Sequence, residues 1–224
     1  MTSEKKIPDE VLKKAAKTRF PTPYKKPAVE RTAEEKITYV AERFGEIMEA
    51  LGLDLQDASL ARTPHRVAKM YVNEIFSGLD STTFPSISFI ENEFDHDFSN
   101  TNFVFMKVNF TSFCEHHFVP MNGTAYISYV PADRCIGLSK IPRIVRFFAQ
   151  RPQVQERLTA QIADSLATVL DTADIAVSLT AEHFCVIARG IENENSHAIT
   201  NVLRGKFQSD QSFRSQFFEA INRS

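Results

Sequence analysis

The change of hydrophobic period near residue 95 constrains this chain more than any other feature. Before it, apolar residues recur at helical spacing; after it, β-type runs bracket two helical stripes. Thr32-Ala33-Glu34-Glu35 resembles a capping box, and the helix it opens carries Ile37, Phe44, Met48 and Leu51 before a stop at Gly52. Thr63-Pro64 reads as N-cap and first residue of a second helix, through Val67, Met70 and Tyr71 to Gly78. Residues 1–30 mix Lys, Glu and Pro, and the proline-rich run 20–27 is expected to be extended. Downstream, 103–110 and 124–130 are β-rich, the latter bounded by Asn122-Gly123 and Pro131. A helix is expected from Ser139, and another after Pro152 with Val154, Leu158, Ile162, Leu166 and Val169 in one apolar stripe. Strand-like runs follow at 175–180 and 184–188, and 209–222 closes the chain as a helix.

Two strands, two helices and two strands predict an α+β layer: a four-stranded antiparallel sheet with a helix pair on one face. The division expected is an N-terminal extended and helical region, 1–95, and a catalytic domain, 96–224. One face and the edges of such a sheet need covering, which oligomerisation supplies.

Composition narrows the function. With 26 Lys and Arg against 28 Asp and Glu, the net charge of −2 lacks the basic excess of a nucleic-acid binder. No stretch approaches ~18 consecutive apolar residues, so no membrane span is expected. Three cysteines, Cys114, Cys135 and Cys185, are an odd number set far apart, which suits reduced thiols in a cytoplasmic protein.

Cys114-Glu115-His116-His117 is the densest cluster of reactive groups, and His183-Phe184-Cys185 lies well downstream. Thiolate and imidazole are the usual zinc ligands. One metal could collect Cys114, His117 and Cys185, with His183 and Cys185 on one face of a strand. Three protein ligands and an open position are the catalytic rather than the structural arrangement, and zinc lowers the pKa of bound water to ~7. His116 and His183, left over, would suit proton transfer near neutral pH. Each cluster alone is as readily a pair of ordinary core or second-shell groups. Ser139-Lys140-Ile141-Pro142-Arg143 offers a helix start with basic neighbours, an anion site that Arg66, Lys69 and Arg189 could extend. Gln155 and Glu156 sit at the margin of the apolar stripe, where a carboxylate could accept two hydrogen bonds from an edge such as guanine's.

The strings Thr111-Ser112-Phe113-Cys114-Glu115-His116-His117, Gly137-Leu138-Ser139-Lys140, His183-Phe184-Cys185-Val186 and the 150–159 stretch closely resemble GTP cyclohydrolase I. Thr63-Pro64-His65-Arg66-Val67 extends the likeness, which runs from about residue 30 to the C-terminus. The resemblance implies the tunnelling fold: four-stranded sheets joined into a barrel by five subunits, two rings forming a homodecamer with active sites at subunit interfaces. It implies hydrolytic opening of the GTP imidazole ring at C8, with release of formate and formation of 7,8-dihydroneopterin triphosphate, the entry to folate and other pterins. Carried over by position, Cys114, His117 and Cys185 match ligands of one Zn2+ per subunit, and His116 and His183 the proton-handling histidines. Gln155 and Glu156 match the guanine-recognising pair; Ser139, Lys140, Arg143, Arg189, Arg66 and Lys69 match positions around the ribose and triphosphate. The departures are Ala198 and Thr124, where threonine and lysine are common, and Arg204, where a small residue is usual. The rivals are another tunnelling-fold enzyme, such as a nitrile reductase, for which only Cys135 remains as nucleophile, and a non-catalytic module whose zinc site His116 closes.

Overall fold

A computed structural model describes residues 7–26, 31–91, 103–131, 134–193 and 196–224. The expected boundary at 95/96 lies outside the described residues, as does Pro27. Helix α1 (Asp9–Lys17) lies in a stretch where no helix was expected. Its lysines mask a short apolar side, Val11, Leu12, Ala15 and Ala16, that packs on the main core. Acidic residues in its first turn and lysines in its last complement the helix dipole. In α2 (Ala33–Ala50) the capping box forms as expected: Glu35 N donates to Thr32 Oγ1 at 3.2 Å and Thr32 N to Glu35 Oε2 at 2.7 Å. Gly52, at φ +80°, follows its end. In helix α3 (Thr63–Lys69) the N-cap position falls on Arg62, whose side chain makes no capping bond, and Thr63 is the first helical residue. The helix expected to reach Gly78 instead widens into a π-helical turn at Met70–Ile75 and a 3-10 turn at Ser77–Leu79.

Strands β1 (Phe89–Glu91), β2 (Val104–Cys114), β3 (Pro120–Tyr129) and β4 (Arg134–Ile136) come next. Helix α4 (Lys140–Ala149), the short β5 (Pro152–Gln153), α5 (Gln155–Leu170) and β6 (Ile175–His183) follow, then the one-turn α6 (Phe184–Ile187) and β7 (His197–Leu203). The chain ends in α7 (Lys206–Ser209) and α8 (Gln211–Arg223). The main sheet runs β5-β2-β3-β6-β7, antiparallel except where β5 joins the Cys114 end of β2, and β1 pairs with β4 apart from it.

The sheet corrects three expectations. Residues 184–188 are not a strand, because the β3–β6 ladder runs out at Met121 opposite His183, and beyond Pro120, the first residue of β3, nothing is left to face them. The fourth antiparallel strand is β7, whose inward residues Ala198, Thr200 and Val202 include a hydroxyl while Ile199 points outward at 64% exposure, an alternation that hides it. Asn122-Gly123 is no boundary either: β3 passes through it, and a Cβ on Gly123 would sit 2.3 Å from Thr180 O on β6.

Helices α4 and α5 cover one face. Leu158, Ile162, Leu166 and Val169 are fully buried against Val108, Phe110, Ile127 and Leu179, each such side chain contributing roughly 1.5–3 kcal/mol. Half of the other face is covered from within the chain: Phe213 and Phe217 of α8, with Phe207, pack on Val130 and Ala176. The remaining half is polar, with Thr111 Oγ1 donating to Asn122 Oδ1 at 2.9 Å and Thr124 Oγ1 to Asn109 Oδ1 at 3.1 Å.

Buried Asp164 of α5 ties distant segments together. Its carboxylate accepts from Arg19 N at 3.0 Å, Arg19 Nε at 3.1 Å and Arg204 Nη2 at 2.5 Å. Burial alone would raise its pKa, but these partners hold it below the usual carboxylate range. A depressed folded-state pKa gives stability that is present above the unfolded value and lost as pH falls through the folded one. Asp164→Asn is therefore expected to cost about 2 kcal/mol near pH 7, lowering the thermal midpoint by about 4–8 °C. Melting curves across pH should show that gap closing below about pH 4.

Candidate metal centre

Strand β2 delivers Cys114 to a tight reversal. Cys114 N donates to Val119 O and Phe118 N to Cys114 O, both at 2.9 Å, while Glu115 N reaches Gln153 O of β5 at 2.9 Å. Phe118 takes a φ of +54°, which lets the five residues 115–119 turn the chain into β3. Because β6 pairs with β3 up to Met121, α6 emerges beside this same turn. Ligand atoms of Cys114, His117 and Cys185 then lie within 4.8 Å of one another, the one such group of three among the described residues. The half-buried Cys185 is placed by the helical turn of α6, not by strand alternation with His183. Burial, then the neighbouring Cys114, pushes the Cys185 thiol up.

The donor set fits a transition metal. Bonds of about 2.3 Å to sulfur and 2.0–2.1 Å to nitrogen put tetrahedral ligands roughly 3.5 Å apart. Cys114 Sγ lies 3.9 Å from His117 Nδ1. His117 Nε2 faces the other way, 2.6 Å from Nη1 of Arg189. His116 is largely exposed beside the group, its Nδ1 3.8 Å from Cys114 Sγ and its Nε2 4.0 Å from Glu115 Oε1. Glu115 also pairs with Arg157 of α5, which pins the turn to the helix. No role was read from sequence for this pair, although both residues stand in the motif strings; only the fold brings them together.

His183 is half-buried at the end of β6, its Nε2 2.7 Å from Gln155 Oε1. Burial lowers its pKa, and the Glu156 carboxylate opposes that shift. Gln155 and Glu156 open α5, the first buried and hydrogen-bonded within the chain, the second exposed. Ser139, Lys140 and Arg143 are at the head of α4. Its tail lies beside the Cys114 end of β2, since Ser112 Oγ donates to Ala149 O at 2.7 Å. At 1.5 Å per residue, that head is about 15 Å away along the helix. Exposed Arg66 and Lys69 are on α3. Arg189 is thus the one candidate phosphate contact placed beside the thiol–imidazole group, its Nη1 2.6 Å from His117 Nε2.

A family model, GTP cyclohydrolase I, matches residues 40–222. The chain belongs to the GTP cyclohydrolase I family. GTP cyclohydrolase 1 of Aeromonas hydrophila subsp. hydrophila is 53% identical over 177 residues, 79% of this chain and 80% of that protein. GTP cyclohydrolase 1 of Escherichia coli O1:K1 and of Shigella boydii serotype 18 are each 51% identical over 200 residues, 89% of both chains. The GTP cyclohydrolase I match spans every candidate site residue and leaves α1 outside it.

Cys114→Ser or Cys185→Ser is expected to bring metal content from about one ion per chain to below a tenth, read by elemental analysis. Glu115→Gln should weaken metal retention about 10-fold in a chelator competition, because it unpins the turn without removing a ligand.

Proposed function

We propose that this chain hydrolyses GTP at C8 of the base, releasing formate and forming 7,8-dihydroneopterin triphosphate, the first step of pterin and folate synthesis. The observation that carries the reading is the meeting, within 4.8 Å, of two thiols and an imidazole from stretches some seventy residues apart, in a chain of this family. Thiol and imidazole donors suit zinc and disfavour the hard cations that seek oxygen. When bound by Cys114, His117 and Cys185, zinc supplies a Lewis acid that makes water nucleophilic at neutral pH.

The chain's own residues do the rest. Exposed Glu156, at the head of α5, accepts from the N1–H and 2-amino edge of guanine. His183, next to it and biased towards the neutral form by burial, exchanges a proton with the reacting imidazole ring. His116 serves as the second, solvent-facing proton carrier. Ser139, Lys140, Arg143, Arg189, Arg66 and Lys69 hold the ribose and triphosphate.

The ~15 Å of helix between the basic head of α4 and the tail that meets the Cys114 end of β2 supports a site completed by a second copy of the chain. So do the sheet edges: among the described residues, neither β7 nor most of β2 has a strand on its outer side. Joining those edges gives the barrel of the tunnelling fold, and two five-membered rings a homodecamer. Three free thiols agree with a cytoplasmic protein.

His116, so close to Cys114 Sγ, also suits a second reading in which it is the fourth ligand of a closed, structural site. The two readings part on one variant. His116→Ala is expected to keep its metal and lose GTP turnover at least 100-fold; loss of the metal itself would favour the closed site. For the wild-type protein, incubation with GTP is expected to yield equimolar formate and, after oxidation, a fluorescent neopterin.

A further inference from the structure

Gln155 is 2% exposed, and both ends of its carboxamide are engaged inside the chain. Nε2 lies 3.1 Å from Leu179 O, 2.9 Å from Ala198 O and 3.1 Å from Thr200 Oγ1, and Oε1 lies 2.7 Å from His183 Nε2. Main-chain carbonyls only accept, so the amide nitrogen must face β6 and β7; the flipped amide would set oxygen against oxygen. The hydroxyls fix the same sense. Thr159 Oγ1 donates to Gln155 O at 2.7 Å, which commits its proton. The 2.6 Å contact between the Thr159 and Thr200 hydroxyls is then made with Thr200 donating, so Thr200 accepts from Gln155. Every contact in this loop has one allowed direction, with the two N–H groups of Nε2 shared among three acceptors, and it leaves Oε1 facing His183. An amide oxygen only accepts, so Nε2 of His183 must carry a proton.

We infer that Gln155 is a positioning residue that fixes the ring of His183 with Nε2 protonated, so that Nδ1 is the nitrogen left to exchange a proton and the ring, when neutral, is the Nε2–H tautomer. Gln155 then acts on the reaction through His183. Turning its amide to read a guanine base would break every one of these bonds and leave two carbonyls without this donor. The kinetic consequence rests on the proposed GTP ring opening; the tautomer does not.

The test is magic-angle-spinning 15N spectroscopy of the full-length, zinc-loaded protein labelled with 15N-histidine, at pH 8.5, where imidazole is neutral. His183 is assigned by subtraction of the His183→Gln spectrum. A single state with Nε2 protonated and Nδ1 bare is expected. Gln155→Met should mix or invert the two tautomers. It should lower kcat for GTP about 10- to 100-fold, with KM changed less than about 3-fold and zinc content unchanged. Wild-type His183 protonated on Nδ1, or present as both tautomers, overturns the inference, and does so even if Gln155→Met fails to fold. A rise in KM with kcat intact also overturns it, because it makes Gln155 a base-recognition residue. A single Nε2–H state in a protein that leaves GTP untouched upholds the tautomer and removes the proposed function instead.

Discussion

The antiparallel ladder between β3 and β6 is the constraint on which the site depends. It begins with Tyr129 opposite Ile175 and ends with Met121 opposite His183. Because β2 pairs with β3 through to Pro120, the same registers bring the Cys114 turn and the α6 turn to one end of one sheet. A slip of one residue would swap the faces of β6 and turn Leu179 outward, so burial of the apolar face protects the geometry of the thiols. Gly123 belongs to this account. It lets β3 and β6 approach more closely than any side chain would permit, two residues from the end that matters.

Packing of α5 on that sheet has an apolar and a polar part with different effects. The Leu158, Ile162, Leu166 and Val169 stripe holds the helix down, but hydrophobic contact has little directional preference. Direction comes from buried polar groups: Gln155 on β6 and β7, Gln161 bonded to Gln153 and to Phe20 O, and Asp164 on Arg19 and Arg204. Each bond adds only about 1 kcal/mol when made, yet leaving a buried partner unmade costs ~1–3 kcal/mol. Rotation of α5 about its axis therefore carries a penalty that the apolar stripe alone would not impose. The same helix carries Arg157 to Glu115 and Gln155 to His183, so its fixed rotation reaches both halves of the centre.

Much of this was legible in the chain. The Cys114 to His117 string and Cys185 could be grouped because thiol and imidazole share a chemistry, and the motif strings pointed to one family. The order of strands and helices followed from period, and the Thr32 capping box from local bonding. What escaped was set by tertiary pairing. Residues 184–188 have strand composition and become a helical turn because no partner strand reaches them. His197 to Leu203 looks unpatterned and becomes a strand because β6 offers an open edge. Gln155 reads as a polar residue at a helix margin; that both ends of its amide are engaged inside the chain depends on carbonyls of two strands distant in sequence.

The separation of the basic helix start from the thiols bears on how assembly and catalysis relate. Cys114, His117 and Cys185 come together within one chain, so this candidate set of metal ligands needs no second copy. In the proposed function a neighbouring copy supplies the triphosphate contacts at the head of α4, which lies about 15 Å along the helix from the tail that meets the Cys114 end of β2. On that proposal metal binding is a property of the fold and turnover a property of the assembly, and dilution that separates the chains removes the head of α4 from the site while leaving the thiol–imidazole group whole. The bare, polar half of the sheet face around Asn109, Thr111, Asn122 and Thr124 fits this division. Its paired hydroxyls and amides tolerate water, so the face that would line the barrel interior in the proposed assembly need not be apolar while the chains are apart.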